Sequence, residues 1–252
     1  METTKKSQIV GIKNAGIVII CCFIIAVCIY HFLLGNPSNF MNNDPNNHPL
    51  NMLGTIYKGG VIVPVIQTLL LTVLALSIER YFALRSAFGK GSLAKFVANI
   101  KEALATGDLK KAQEICDQQR GSVANVVTAT LRKYEEMEKN TALPKEQKLL
   151  AIQKELEEAT ALEMPMMQQN LPIIATITTL GTLMGLLGTV IGMIRSFAAL
   201  SAGGGADSMA LSQGISEALI NTAFGILTGA LAVISYNYYT NKIDKLTYGL
   251  DE

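Results

Sequence analysis

The chain has 252 residues but no tryptophan, only two histidines and four cysteines, and a charged fraction of 16%. Each shortage excludes something. His31 and His48 are too isolated to form a metal site. Cys21, Cys22 and Cys28 share one apolar run and Cys116 stands far from them, which fits neither zinc-ligand spacing nor a disulfide framework. No metal or other cofactor is therefore expected. A net charge of +1 without a basic stripe gives no footing for nucleic acid. Charge this sparse, with 50% hydrophobic residues and a mean hydropathy of +0.32, excludes an ordinary soluble domain.

Four long apolar runs occupy what the charges leave. The first, Ala15 to Leu34, is long enough to span, since a bilayer takes about 20 helical residues. It follows a segment, residues 1 to 14, that holds Lys5, Lys6 and Lys13. No small-x-small site closes the run, and Val27 before Cys28 makes a poor lipoprotein box. It reads as a retained anchor with lipid-facing or packing cysteines. Gly35 to Lys58 is rich in Asn and Pro, which is loop chemistry. The second run, Val61 to Ala83, ends in Glu79 and Arg80, with Arg85 and Lys90 beyond. Basic residues beside spans mark the cytoplasmic side. This rule puts residues 1 to 14 and 84 to 90 inside and the Asn-rich loop outside. Glu79 and Arg80 then sit at the interface, as an ion pair or as snorkelling side chains.

Residues 91 to 164 are soluble in character and helical in pattern. Ser92, Asp108 and Ser122 stand at three helix starts, and Leu93, Phe96, Val97, Ile100 and Leu104 recur at helical spacing. A cytoplasmic helical bundle accounts for them. From Lys145 to Met164 acids and bases alternate before Pro165 and Pro172. The expectation is one long helix carrying the third apolar run deep into the cytoplasm, because prolines are tolerated at a helix start or kink.

The third and fourth runs, Leu171 to Leu200 and Met209 to Tyr236, form a transmembrane hairpin around the small-residue loop Ser201 to Ser208. Charge places that loop outside and Lys242 and Lys245 inside. The outward arm presents Thr178, Thr182, Gly185, Thr189 and Ser196 on one face. Two readings of this face stay open: tight packing of small residues, or the wall of a narrow polar path shared between subunits. The returning arm carries one acid, Glu217. A carboxylate near mid-bilayer costs several kcal/mol and such residues mark ion or proton pathways; the alternative is an interhelix hydrogen bond that holds an oligomer together. At about 1.5 Å per residue, Glu217 lies about 12 Å and Thr189 about 16 Å below the loop, at similar depth. Asn221 shares the face of Glu217, whereas Thr222 shares a face with Gly225 and Gly229. Arg195 is read as snorkelling outward, as an anchor or partner-binding residue.

The stretches Gly185-Leu186-Leu187-Gly188-Thr189-Val190-Ile191-Gly192-Met193 and Ile215-Ser216-Glu217-Ala218-Leu219-Ile220-Asn221-Thr222-Ala223-Phe224-Gly225 closely resemble the proton-channel family of ExbB, TolQ and MotA. Both motifs occur in order at the expected separation. The resemblance implies a cytoplasmic-membrane motor subunit, assembled as a homo-oligomeric ring that is a pentamer in the family. The ring would enclose the single helices of an ExbD- or TolR-like partner whose aspartate carries the proton, and would work with a TonB-like protein. Residue by residue, the family's pore threonine falls on Thr189, and its glutamate and the following threonine fall on Glu217 and Thr222. Thr178, Thr182, Gly185 and Asn221 stand beside them as pore-lining or packing positions. Glu217 favours the ExbB and TolQ branch. The chain departs from that branch, which typically has three spans, by its extra span Ala15 to Leu34 and the Asn-rich loop, so a four-span MotA- or gliding-type motor stays open.

The expected fold class is an all-α integral membrane protein with four transmembrane helices and a cytoplasmic helical domain between the second and third. The expected divisions are 1–58 (extra span and external loop), 59–90 (second span), 91–164 (cytoplasmic helices) and 165–252 (hairpin and cytoplasmic tail). The chain is expected in the bacterial inner membrane with both termini on the cytoplasmic side. The expected function is a non-enzymatic energiser of TonB-dependent transport across the outer membrane. A solute transporter would need convergent polar groups at broken helices and usually internal repeats. An intramembrane enzyme would need a nucleophile with its base, or metal ligands. The spans show none of these.

Overall fold

The computed structural model describes residues 14–202 and 208–251. Lys5, Lys6 and Lys13, and residues 203–207 of the expected external loop, lie outside the described residues. The helices in chain order are α1 (Ala15–Cys28), α2 (Met52–Tyr57), α3 (Ile62–Phe88), α4 (Leu93–Ala105), α5 (Leu109–Gln119), α6 (Ser122–Lys139), α7 (Lys145–Gln168), α8 (Leu171–Ala202) and α9 (Ser208–Asp251). Among the described residues there is no strand, only an isolated antiparallel bridge between Phe40 and Pro49. Four helical stretches, in Ala15–Leu34, Ile62–Ala105, Lys145–Ala198 and Leu211–Gly249, are long and apolar enough to cross a membrane. The chain is a multi-pass, all-α membrane protein.

The chain divides into two compact units. One comprises Asn14–Ser77 and Asn170–Asn237. It is built for a hydrocarbon surround: Ile20, Phe23 and Ile24 of α1, Leu183 and Val190 of α8 and Leu219 and Ile226 of α9 all point outward, exposed. In water that arrangement would forfeit the burial that drives folding, whereas lipid tails are as apolar as leucine. Cohesion comes instead from close backbone approach. A Cβ on Gly225 would stand 2.6 Å from Gly185 Cα and 2.7 Å from the Gly181 carbonyl oxygen, and one on Gly192 would stand 2.7 Å from the Gly214 carbonyl oxygen. The glycines of α8 and α9 therefore set the helix spacing.

The Gly35 to Lys58 stretch, expected as a loop, is ordered by local turns. α1 runs on through a π-helical turn, Ile29–Leu34, and two 3-10 turns, Pro37–Asn39 and Met41–Asn43, follow. Asn36 and Asn51 each accept a backbone N–H at a helix start. Asn39 donates to the carbonyls of Leu33 and Leu34. The asparagines thus satisfy backbone groups that a short, turning segment leaves unpaired.

The second unit comprises Ile78–Gln169 and the chain from Tyr238 onward. Its core takes up part of the expected stripe: Phe96 and Ile100 of α4 are buried but Leu104 is exposed, and Ala103 of α4, Ala112 and Cys116 of α5, and Val123, Val126 and Leu131 of α6 complete it. Asp108 caps α5 by accepting the Lys111 N–H at 3.0 Å. Arg80 is fully buried. It pairs with Glu79 and donates from Nη1 to the carbonyls of Met166 and Met167, each at 3.2 Å. Those are last-turn acceptors of α7 that no later helical N–H can reach.

One expectation is corrected. The charged helix and the first hairpin arm are two helices: α7 ends at Gln168 and α8 begins at Leu171. Asn170 between them takes φ +67°, the left-handed conformation in which Asn is among the few tolerated side chains. Pro172 in the first turn of α8 has no N–H to lose there. Pro165 is accommodated within α7 and does not make the break.

Candidate functional site

α8 and α9 bring the two motif threonines into contact. Thr189 and Thr222 share a hydrogen bond between their hydroxyls in which either atom can donate. The hydroxyl that accepts in this bond keeps its own proton for the carbonyl one turn back, Gly185 at 3.2 Å for Thr189 or Ala218 at 3.1 Å for Thr222. Such back-bonding is how a threonine satisfies itself inside a helix. The cross-helix contact is available only because Gly185 and Gly225 let the backbones meet. Thr178 and Thr182 lie further along the same seam, where a Cβ on Gly229 would stand 2.8 Å from both the Thr178 carbonyl oxygen and the Thr182 hydroxyl.

A second cluster forms around Glu217, whose side chain is 6% exposed. Arg195 Nη1 donates to both carboxylate oxygens, at 2.6 Å to Oε1 and 2.8 Å to Oε2. A carboxylate taken out of water needs a partner of this kind. Asn221, one turn further on and fully buried, donates from Nδ2 to the Gly59 carbonyl at 2.8 Å. Gly60 follows at φ +76° and packs directly on the pair: a Cβ there would collide with Glu217 Oε1 and stand 3.2 Å from Arg195 Nη1. Only glycine fits, because the conformation and the space both exclude a side chain. Tyr30, from the π-turn that ends α1, lies within electrostatic reach of Glu217 and Arg195. It stacks on Tyr57 at 4.7 Å between ring centroids and donates to the Tyr57 carbonyl at 3.2 Å.

A stretch of 134 residues, 119–252, matches the model of the MotA/TolQ/ExbB proton channel family. The chain belongs to this family. It is similar to a putative biopolymer transport protein ExbB-like 3 of Synechocystis sp., 36% identical over 86 residues, covering 33% of this chain and 41% of that protein. It is similar to the ExbB-like 1 protein of the same organism, 33% identical over 193 residues, 73% of this chain and 69% of the relative. The Tol-Pal system protein TolQ of Pseudomonas aeruginosa is 25% identical over 189 residues, 72% of this chain and 81% of that protein. The chain thus spans less than half the length of the first of these relatives. The family is one of proton channels and not a class of enzymes.

The motif residues of this chain fall into two groups on different sides of α9. Thr189 meets Thr222 on one, and Glu217 and Asn221 meet Arg195 and the Gly59–Gly60 turn on the other. Sequence reasoning did not bring Arg195 to Glu217. It read the arginine as turned outward and the acid as alone. A signal existed: Arg195 is the one cation of the outward arm and Glu217 the one acid of the returning arm, six and nine residues from the two ends of the loop. A long guanidinium side chain covers that difference in depth. The Gly59–Gly60 pair, just before the second apolar run, was also passed over.

Proposed function

We propose that this chain is the ring-forming subunit of an ExbB-type motor in the bacterial cytoplasmic membrane. The ring surrounds an ExbD- or TolR-like single-span partner and uses proton flow to energise TonB-dependent transport across the outer membrane. Both termini and the α4–α7 helices lie in the cytoplasm, and the Gly35 to Lys58 segment lies outside. The observation that carries this reading is Glu217, a nearly buried carboxylate in an otherwise apolar arm, placed within the family-matched region. An acid kept at such a cost is expected to act on ions or protons. The hydroxyl pair of Thr189 and Thr222 supplies a second polar step across the α8–α9 seam, since a hydroxyl both donates and accepts. Thr178, Thr182 and Gly185 continue that seam, and Asn221 fixes the turn beside the acid. The partner's aspartate takes the proton, and this chain's groups form the wall through which it is reached.

A TolQ-like role is the second reading, favoured by the coverage of 81% of the Pseudomonas aeruginosa protein. Purification from the native membrane tests the shared core of both readings. A ring of several copies with a small single-span protein bearing an intramembrane aspartate is expected. Recovery of a ring with a bound solute and no such protein would refute it and favour a transporter.

A further inference from the structure

Both carboxylate oxygens of Glu217 are engaged by the same guanidinium. They accept from the one Nη1 of Arg195, and Gly60 is seated against Oε1 with no room for a methyl group. A proton donor, or a partner's side chain, therefore competes with the guanidinium for this carboxylate. The two partners differ in freedom: the Glu217 side chain is 6% exposed, but that of Arg195 is 53% exposed. The arginine, long and flexible, has space to swing away from an acid that stays put. The Gly60 side of the pair is fixed independently, because the preceding carbonyl is tied to buried Asn221. The Gly59–Gly60 turn therefore cannot retreat without breaking that bond.

We infer that Arg195 is a latch on Glu217. It is a positioning residue that occupies the carboxylate in the resting subunit and must release it before the acid joins a proton path. The inference rests on the reading of Glu217 as proton-linked. A bond of this kind is a two-state element, closed with the guanidinium on the carboxylate and open with it turned to the exposed side. Whatever binds the open guanidinium or the freed carboxylate better shifts the balance. An acidic side chain arriving from the single-span partner has the right charge to draw Arg195 off.

The test is proton leak into membrane vesicles of the native host containing the full-length chain, measured with a pH-sensitive dye under an imposed potential. Arg195→Gln is expected to raise the leak several-fold while the complex still assembles. Arg195→Lys keeps the charge but replaces the planar guanidinium by a shorter side chain with a compact ammonium, and is expected to leak between wild type and Arg195→Gln; if Arg195→Gln does not accumulate, a Lys variant leaking above wild type carries the same expectation. The Arg195→Gln/Glu217→Gln double variant is expected to return to the wild-type leak, which a general loosening of the hairpin would not do. Wild-type leak in an assembled Arg195→Gln, wild-type leak in Arg195→Lys where only that variant accumulates, or a leak that persists in the double variant, overturns the latch. If Glu217→Gln alone leaves proton-driven output intact, the proton role of Glu217 fails, and the latch falls with it; the converse does not hold.

Discussion

Two arginines in this chain are each held by a carboxylate, and they differ in what else they hold. Arg195 has Glu217 as its charged partner and is half exposed. Arg80 is fully buried and also closes the end of α7 through the carbonyls of Met166 and Met167. A cation at a helix C-terminus gains from the helix dipole as well as from the hydrogen bonds. Removing one member of a buried pair leaves an uncompensated charge, at about 3–5 kcal/mol. Arg80→Met is therefore expected to destabilise the detergent-solubilised protein by that order, read as a lower denaturation midpoint, and Arg80→Lys by less. Cys116 gives a residue-scale prediction in pH. Burial pushes its thiol up from 9.0 to about 11, with the charge of Asp117 adding a little and a hydrogen bond from Thr128 opposing. The folded chain keeps a proton that the unfolded chain loses between those two values, so stability falls as pH rises from about 9 to about 11. In the Cys116→Ala variant that part of the fall should vanish. At neutral pH the native thiol should resist alkylation until the helices unfold, because the thiolate is the reactive form.

Elements carry the clearest record of what a sequence discloses. The helix α4 was legible from its stripe at helical spacing, α5 from its cap Asp108 and α6 from little more than Ser122 at its start, and the four spanning runs were legible from length and lack of charge. The break between α7 and α8 was not. Pro165 and Pro172 drew attention as the helix breakers, yet the chain turns at Asn170, whose left-handed backbone no periodicity announces. Asn170→Gly keeps the left-handed backbone open and is expected to cost less than any β-branched residue there. A β-branched residue such as valine there should cost about 1–2 kcal/mol, read as a lower unfolding midpoint. The glycine seam of α8 and α9 was visible as spacing, but which glycines touch which was not. Gly225 faces backbone atoms of Gly185 and Gly181, which cannot rotate aside as a side chain would. Gly225→Ala should therefore cost about 1–3 kcal/mol, and size-exclusion of the solubilised protein should show a smaller fraction assembled.

For the whole molecule, the charge bias of the loops predicts sidedness. A cysteine at Asn46 in an otherwise cysteine-free chain should react with an impermeant maleimide added to intact cells. One at Lys139 should react only after permeabilisation. The reverse pattern would invert the topology. The candidate site was legible in its parts and hidden in its pairing. Glu217, Thr189 and Thr222 stand out by residue type against an apolar background. That Arg195 meets Glu217 depends on the rotation of two helices about their axes, which one-dimensional spacing leaves undetermined. The Gly59–Gly60 turn was a separate feature in the sequence, and the fold brings it to the acid.

The measurement that bears most directly on the account is energy-dependent uptake across the outer membrane in cells whose only copy of this chain carries Glu217→Gln, with the amount of assembled complex measured alongside. Uptake is expected to be lost at undiminished assembly, with Glu217→Asp retaining a part. Uptake at the wild-type rate by an assembled Glu217→Gln complex would contradict it.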